Sequence, residues 1–327
     1  MRPTARGATA GLGLAVALLL SGCSINPVWR MAPSSPQSGA MLLEQVPFHP
    51  QTEYQCGPAA LATVLGASGK PISPESLVPQ VYLPGRKGSL QLELVAATRR
   101  AGRIPYTVGR TPEALLDELR AGRPVLVLQN LLVRTVPRWH YAVLVGADPA
   151  RNWMILNSGT ERGLTMRAPK FLRTWDWGGR WGLVTLRPGE LPARAEPATY
   201  LAAVADFEAV AGTNAAAPAY RAALQRWPQD PRPRLALGNQ AYAAGDRVAA
   251  ARHFRDGLKL APGDPVLGNN YASVLGELGC RAEARAVLET LHAVLPADNR
   301  WREQLAATRK EVDASRVSRT GACNELR

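Results

Sequence analysis

The sequence predicts an α+β domain followed by an all-α domain of helical repeats. A helical signal begins directly after Cys56, and short apolar, β-branched runs follow it as far as about residue 186. The second domain is predicted by a period of 34 residues that relates Pro228, Pro262 and Pro296. The chain has 327 residues, of which 46% are apolar, so it has enough material for two cores and does not have the composition of a disordered protein.

The N-terminus has the pattern of an export signal. Arg2 and Arg6 precede an apolar run from Ala8 to Leu20, which is too short to cross a bilayer as a helix. The run ends in Leu20-Ser21-Gly22-Cys23, and this sequence resembles the lipobox of bacterial lipoproteins. The resemblance implies that residues 1–22 are a signal peptide and that Cys23 is acylated and held in a membrane. An ordinary secretory signal, which would release a soluble protein, is the alternative.

The residues that follow Cys23 bear on location. Ser24 at this position resembles lipoproteins that are sorted to the outer membrane. We therefore expect a protein of the bacterial cell envelope that is lipid-anchored, faces the periplasm and lies at the outer membrane. Residues 24–40 are rich in Pro, Ser and Gly, so the segment 23–40 is interpreted as the lipidated Cys with a flexible tether.

The formal net charge is +13, from 39 Lys and Arg against 26 Asp and Glu. Such an excess is either a solvated arginine-rich surface or a means of attracting anionic lipid, cell wall or acidic substrates. No basic run is interleaved with aromatic residues, and no DNA- or RNA-binding motif is present. Nucleic acid is therefore not an expected partner.

Cys56 is the candidate nucleophile. It stands immediately before Gly57-Pro58-Ala59-Ala60-Leu61, where an Ala-rich helix is predicted to begin. The free N–H groups and the dipole at a helix N-terminus favour a thiolate, which is the reactive form of cysteine. The alternative is a small buried cysteine without a chemical role.

A cysteine nucleophile requires a base, and His140 is the best candidate among the four histidines. His253 and His292 lie in the repeat region, and His49 is too close to Cys56 in sequence to approach from an opposing sheet. His140 opens an apolar run that is typical of a buried strand. The next predicted strand ends at Asn157, whose amide oxygen could orient the imidazole in a Cys-His-Asn triad.

Three motifs together resemble the bacteriocin-processing, double-glycine-leader cysteine peptidases, which have a papain-like fold. The motifs are Val46-Pro47-Phe48-His49-Pro50-Gln51, Gln55-Cys56-Gly57-Pro58-Ala59-Ala60-Leu61 and His140-Tyr141-Ala142-Val143-Leu144-Val145-Gly146. The resemblance covers about residues 41–190 and implies a peptidase domain at 41–187.

The resemblance also implies roles for individual residues. Cys56 would attack the substrate, His140 would be the base, Asn157 would orient it, and a Gln would donate to the oxyanion. Gln51 stands five positions before the Cys where the family has six, so Gln55 is a rival for the last role. Asn157 stands where the family usually has Asp, but papain itself uses Asn.

Other elements of this domain follow from periodicity and capping. Helices are predicted within 88–102, 111–122 and 168–175, and strands at 104–108, 124–129 and 181–186. Five of the eight tryptophans lie between Trp139 and Trp181, where they either pack in the core or line a substrate groove. Trp139, the neighbour of His140, is the best candidate for the groove.

Residues 188–197 form a Pro-rich linker, and the 34-residue period covers residues 198–298. Small residues recur at Ala216, Ala250 and Ala284, and glycines at Gly245 and Gly279. This spacing resembles tetratricopeptide repeats, whose stacked helices form a concave face that usually binds peptides or proteins. The resemblance implies a protein partner at the repeats, and a generic helical bundle is the alternative. Residues 299–327 are interpreted as a C-terminal helix and tail.

Cys280 and Cys323 lie in the helical domain of a chain expected in an oxidising compartment. A disulfide between them would tie the tail to the last repeat, and two unpaired thiols are the alternative.

The leading functional hypothesis is an envelope-anchored cysteine peptidase that cleaves peptide or protein substrates. We expect neither metal nor cofactor, because no His, Cys or Asp pair has the spacing of metal ligands and no Gly-rich loop that could bind a phosphate is present. The alternatives are a non-catalytic peptide-binding adapter, and a cell-wall amidase or γ-glutamyl transfer enzyme with a related arrangement of residues.

Overall fold

The structure is a computed structural model that describes residues 30–31, 40–51, 55–318 and 321–326. The expected signal peptide, Cys23 and most of the expected tether lie outside the described residues. Met31 belongs to that tether segment, but its side chain is buried against the α+β domain. Its backbone N–H donates to Asn152 Oδ1 at 3.2 Å, so this position is packed rather than free.

The fold class predicted from the sequence is confirmed: an α+β domain with one large sheet precedes an all-helical region. The sheet is antiparallel in the order β4-β9-β5-β6-β7-β8, and β1 pairs with β6. A separate small hairpin joins β2 and β3. The strands are β1 Met41–Leu42, β2 Tyr82–Leu83, β3 Gly88–Ser89, β4 Ile104–Thr107, β5 Val125–Asn130, β6 Trp139–Asp148, β7 Trp153–Ser158, β8 Glu161–Arg167 and β9 Gly182–Leu186.

Five helices accompany the sheet, and eight form the C-terminal region of the described chain. The former are α1 Cys56–Ala67, α2 Pro74–Val81, α3 Gln91–Arg100, α4 Pro112–Arg120 and α5 Ala168–Trp177. The latter are α6 Pro197–Ala211, α7 Thr213–Arg226, α8 Arg232–Ala243, α9 Arg247–Leu260, α10 Pro265–Glu277, α11 Arg281–Val294, α12 Trp301–Ala314 and α13 Ala322–Glu325.

The long strand β6 separates two cores because its side chains alternate between the faces of the sheet. Tyr141, Val143 and Val145 pack with α1 on one face. Ala142 and Leu144 belong to the core on the other face, with residues of α4 and α5. Nine consecutive residues of α1 are buried, from Gly57 to Leu65, so this helix lies inside its core and presents its first residue, Cys56, at the domain surface.

Several elements of the domain were not expected from the sequence, among them α2 and β8. Helix α2 has Pro79 inside it, but it is capped by the hydroxyl of Ser73, which accepts from the N–H of Ser76 at 3.3 Å. Strand β8 is an edge strand with several exposed charges and Gly163 at a φ of 70°. Charged residues and glycine weaken a strand signal, but at an edge one face and one side of the strand meet water.

The helical region follows the 34-residue period. Helices α7, α9 and α11 begin at Thr213, Arg247 and Arg281, each 34 residues after the one before. Ala216, Ala250 and Ala284 occupy the same place in these helices and are fully buried. Small side chains at such positions allow helices to cross closely. The assignment of these helices to tetratricopeptide repeats stays a prediction.

The segment predicted as a linker is fixed to the α+β domain by hydrogen bonds. The backbone N–H of Ala193 donates to the buried carboxylate of Glu118 at 2.8 Å, and Arg194 forms an ion pair with Asp117. The hydroxyl of Tyr200 on α6 donates to the carbonyl of Glu190 at 2.9 Å. The helical region is therefore held in one orientation against the sheet.

Helices α6 and α7 complete the core on the second face of the sheet. The large side chains of Tyr200, Val204 and Phe207 are fully buried in the same cluster as strands β4 and β5. Helices α9 to α12 instead form a core of their own, in which Cys280 and Cys323 are joined by a disulfide. No helix among the described residues is long and apolar enough to span a membrane.

Candidate active site

A groove of about 1260 Å³ lies beside the N-terminus of α1, where β5 ends and β6 begins. Cys56, His140 and Gln51, which the sequence singled out, all line it. The other lining residues are Arg86, Lys87, Gly88, Ser89, Leu90, Gln91, Leu128, Arg138, Trp139, Tyr141, Gly159, Thr160, Trp177, Gly178 and Gly179.

Cys56 is the first residue of α1 and is half-buried at the groove wall. Backbone N–H groups of Tyr141, Gly57 and Cys56 itself stabilise its thiolate, but burial has the larger effect and raises the pKa of the thiol. The sequence predicted a thiolate favoured by the helix N-terminus. The N–H groups do lower the pKa of the thiol as expected, but burial of the thiol outweighs them.

Gly57 is required by packing rather than by the substrate. A side chain at this position would overlap the hydroxyl of Ser89 on β3, which is buried against α1. The phenolic hydroxyl of Tyr141 donates to the carbonyl of Ser89 at 3.3 Å, so β3 is attached to both α1 and β6. This contact fixes the wall of the groove directly beside Cys56.

His140 is the second residue of β6, immediately before Tyr141, whose N–H reaches the Cys56 thiolate. Burial lowers the pKa of His140 to about 4, and the positive charge of Arg138 acts in the same direction. The thiol and the imidazole are therefore both neutral at pH 7 in the free protein. A neutral imidazole can accept a proton, as a general base must.

The imidazole of His140 contacts Ser158, at the end of β7. Nε2 lies 2.9 Å from Ser158 Oγ. The predicted orienter, Asn157, pairs in the sheet with Val143, whose side chain faces α1, and its Oδ1 accepts the backbone N–H of Gly163 at 3.1 Å. Because side chains alternate along a strand, Ser158 and Asn157 lie on opposite faces. The contact that the sequence assigned to Asn157 is thus made by its neighbour.

The two candidate glutamines occupy different places. Gln51 lines the groove with Cys56, and its backbone N–H donates to the carbonyl of Gly159 at 3.1 Å. Gln55 is the residue before α1, where its carbonyl accepts the N–H of Ala59. Gln51 is therefore the glutamine of the groove.

The remaining histidines are placed as the sequence predicted. His253 lies on α9 and His292 on α11, both in the helical region. Trp139 lines the groove and is 55% exposed, whereas Trp175 is fully buried and donates its indole N–H to the carbonyl of Trp181 at 2.9 Å. Trp177 lines the groove, which sequence reasoning did not predict.

Sequence reasoning also missed Ser158 and the cationic lining of Arg86, Lys87 and Arg138. Arg138 is two residues from His140, and the strand alternation around a candidate base could have drawn attention to it. Arg86 and Lys87 lie near the short β2–β3 hairpin, for which the sequence has no clear signal. Within the described ranges, no three His, Cys, Asp or Glu side chains are grouped as metal ligands.

Comparisons with known proteins found a matching family model and similar solved structures. Residues 43–177 match the model of the Peptidase_C39 like family. The chain is also similar to the crystal structure of a protein from Bacillus anthracis described as a C39-like peptidase, at 17% identity and a TM-score of 0.39, over 49% of this chain and 100% of that one. A second similar structure is the peptidase domain of Streptococcus ComA, a bi-functional ABC transporter involved in quorum sensing, at 22% identity and a TM-score of 0.36, over 43% of this chain and 98% of that one. Among curated proteins, none matches.

Proposed function

We propose that residues 43–177, which match the model of the Peptidase_C39 like family, form a papain-like cysteine peptidase domain that cleaves peptide bonds with Cys56 as nucleophile and His140 as general base. The observation that carries the proposal is the position of the Cys56 thiol, which the N–H of Tyr141 reaches from the residue next to His140. The proposed nucleophile and base both line one open groove.

The reaction begins from a neutral thiol and a neutral imidazole. Because Nε2 of His140 faces Ser158, the other ring nitrogen, Nδ1, takes the Cys56 proton as the sulfur attacks the peptide carbonyl. The imidazolium then gives this proton to the departing amine, which leaves a thioester. Water, deprotonated by His140, hydrolyses the thioester and regenerates the free thiol.

The negative oxygen of the tetrahedral intermediate requires donors close to Cys56. The backbone N–H of Cys56 has no partner within the helix, because Cys56 is the first residue of α1, and Gln51 lines the same groove. We assign the oxyanion to these two donors. Loss of one such donor typically lowers the rate by about 10²- to 10³-fold, so Gln51→Ala should fall in this range.

The third position of the site is the end of β7. Asn157 is the residue to which the family resemblance assigns the orienting role, and Ser158 is the residue that contacts His140. We propose that the two act together: Asn157 holds the β7–β8 turn through Gly163, and the turn presents the Ser158 hydroxyl to the imidazole.

The location is proposed from the N-terminal sequence. Leu20-Ser21-Gly22-Cys23 supports a lipid on Cys23 and a place in the bacterial envelope facing the periplasm. A Cys23→Ser variant should lack the lipid, by mass spectrometry of the N-terminal peptide, and should leave the membrane fraction. The helical region would then recruit a protein partner or the substrate near that membrane.

The deciding experiment compares the full-length protein with Cys56→Ala on two substrates, a peptide library and peptidoglycan fragments. Wild-type protein should cleave peptides, and Cys56→Ala should not. Cleavage of peptidoglycan fragments alone would identify a cell-wall amidase. Binding of peptides without cleavage by either protein would identify an adapter. His49→Ala is the matched control. His49 is too close to Cys56 in sequence to approach it from the opposing sheet, so its loss should leave cleavage unchanged.

A further inference from the structure

The loop between β5 and β6, residues 131–138, exposes an unusual number of apolar side chains. Of the eleven large apolar side chains exposed in the described part of the chain, five lie between positions 131 and 139. They are Leu131, Leu132, Val133, Val136 and Trp139, here called the apolar loop surface. Contiguous exposed apolar groups are costly in water and commonly mark a binding site.

The loop is held in a defined shape. Asn130, which is 1% exposed, accepts the N–H groups of Leu132 and Arg138 through Oδ1, at 3.2 and 2.9 Å. Its Nδ2 donates to the carbonyl of Val133 at 3.1 Å. Arg134 at the tip is paired with Asp176 of α5 at 3.0 Å. The apolar side chains are therefore presented to solvent by a buried network, which keeps the entropic cost of binding low.

The apolar loop surface continues into the catalytic groove. Arg138, the last residue of the loop, and Trp139, the first residue of β6, line the groove, and His140 follows them. A chain whose scissile bond lies at Cys56 can thus extend along the groove wall onto the loop.

The charge of the groove restricts what can lie there. Its lining contains Arg86, Lys87 and Arg138, and no Asp or Glu among the residues that the structure describes. A segment bearing carboxylates is favoured in such a groove, and one bearing Lys or Arg is disfavoured.

We propose that the apolar loop surface is a substrate-recognition site for an extended peptide segment that carries large apolar side chains next to acidic ones. This inference rests on the proposed peptidase function and names its substrate class. A membrane is the less favoured occupant, because insertion of Trp139 into lipid would close the mouth of the groove that it lines. A second copy is also less favoured, because five side chains are few for the roughly 800 Å² per partner of a stable interface.

The test measures binding without turnover. Full-length Cys56→Ala protein is immobilised and offered a random peptide library, and the bound peptides are sequenced. We expect enrichment of large apolar residues at a fixed distance from Asp or Glu. The double variant Leu132→Ser/Val136→Ser, made in the same background, should bind a selected peptide about 10- to 100-fold more weakly.

The matched control is Val210→Ser on α6, since Val210 is 52% exposed and far along the chain from the groove. It should bind the selected peptide as the parent does. Circular dichroism melts should agree among all three proteins, because the substituted side chains are exposed. Arg86→Gln should lower affinity for the acidic peptide more than for the same peptide with Asp and Glu replaced by Asn and Gln.

Three results would overturn the proposal. One is a set of bound peptides without apolar enrichment, and another is equal affinity of the double variant and its parent. The third is a double variant that loses binding to vesicles of phosphatidylethanolamine and phosphatidylglycerol, or loses a dimer seen by light scattering, while its peptide affinity is unchanged. If wild-type protein cleaves none of the selected peptides, the peptidase proposal fails, but the binding result still decides the role of the loop.

Discussion

The two halves of the helical region, α6–α7 and α9–α12, pack into different hydrophobic cores. Helices α6 and α7 bury Tyr200, Val204 and Phe207 in the core that the sheet forms with α4 and α5. Helices α9 to α12 pack on one another around their own core, closed by the Cys280–Cys323 disulfide. The first half is therefore a structural part of the α+β domain, although it follows the repeat pattern of the second.

The largest effect should come from where the chain is cut. A fragment that ends at Ala195 exposes the sheet face that Tyr200, Val204 and Phe207 cover, and the burial of each such side chain is worth about 1.5–3 kcal/mol. This approaches the stability of a whole domain. We expect that fragment to unfold or aggregate, whereas a fragment that ends at Asp230 should fold and hydrolyse a short peptide.

Circular dichroism and peptide turnover of the two fragments provide the measurement. Equal folding of both would show that α6 and α7 belong with the other helices. Because α6 and α7 share the core of the sheet, we expect that the helical region cannot be removed as a whole without loss of turnover.

The next largest effect is expected from removal of the proposed general base, His140. His140→Ala should lower kcat/KM by about 10²- to 10⁴-fold, because among the described residues that line the groove there is no second His and no Asp or Glu. Thermal unfolding of the helical region should not change. If His49→Ala removed activity and His140→Ala did not, the assignment of the base would be incorrect.

The disulfide should affect the second half of the helical region alone. Cys280→Ser/Cys323→Ser removes a crosslink between residues 43 apart in sequence, which should cost about 2–4 kcal/mol of stability. Unfolding followed by hydrogen exchange should show lower protection in α10 to α12. Peptide turnover should match wild type, and reduced turnover would indicate that the two cores are coupled.

Smaller effects are expected from substitution of Asn157 and Ser158 at the end of β7, and they should differ between the two residues. Ser158→Ala should lower kcat about 10-fold, because the imidazole loses the partner that orients it. Ser158→Thr should restore much of the rate, and its pH profile should return to that of wild type. Asn157→Ala should chiefly lower the melting temperature, because the backbone N–H of Gly163 loses its acceptor, the buried side chain of Asn157. A larger fall in kcat for Asn157→Ala at an unchanged melting temperature would make Asn157 the orienter.

The smallest expected effect is on pH dependence. The charge of Arg138 disfavours the imidazolium, so Arg138→Gln should raise the pKa of His140 from about 4. The acid limb of kcat/KM, measured on an uncharged peptide, should move to higher pH. The move should be less than about one unit, because burial is the larger cause of the low pKa. Arg226→Gln on α7 is the control and should leave the pH profile unchanged. An acid limb of Arg138→Gln that stays in place or moves to lower pH would contradict the prediction.

The sequence was sufficient where a local pattern determines the result. The run after His140 specified a buried strand, and the 34-residue spacing placed the starts of α7, α9 and α11 in register. The sequence was insufficient where the pairing of distant strands determines which side chains come into contact. Ser158 contacts His140 because β6 and β7 pair Val143 with Asn157, and a shift by one residue would exchange Ser158 for Asn157. The neutral state of Cys56 likewise depends on burial by distant segments, which a helix N-terminus does not reveal.

The fixed linker gives the molecule a property that neither domain has alone. Since Ala193, Arg194 and Tyr200 hold the linker and α6 to the α+β domain, the path from α6 to Cys56 has a constant length. An unfolded substrate held on the helices could place a peptide bond at Cys56 only if the intervening segment spans that path. The cleavage site would then depend on the number of residues between the bound segment and the scissile bond, in addition to the side chains around that bond.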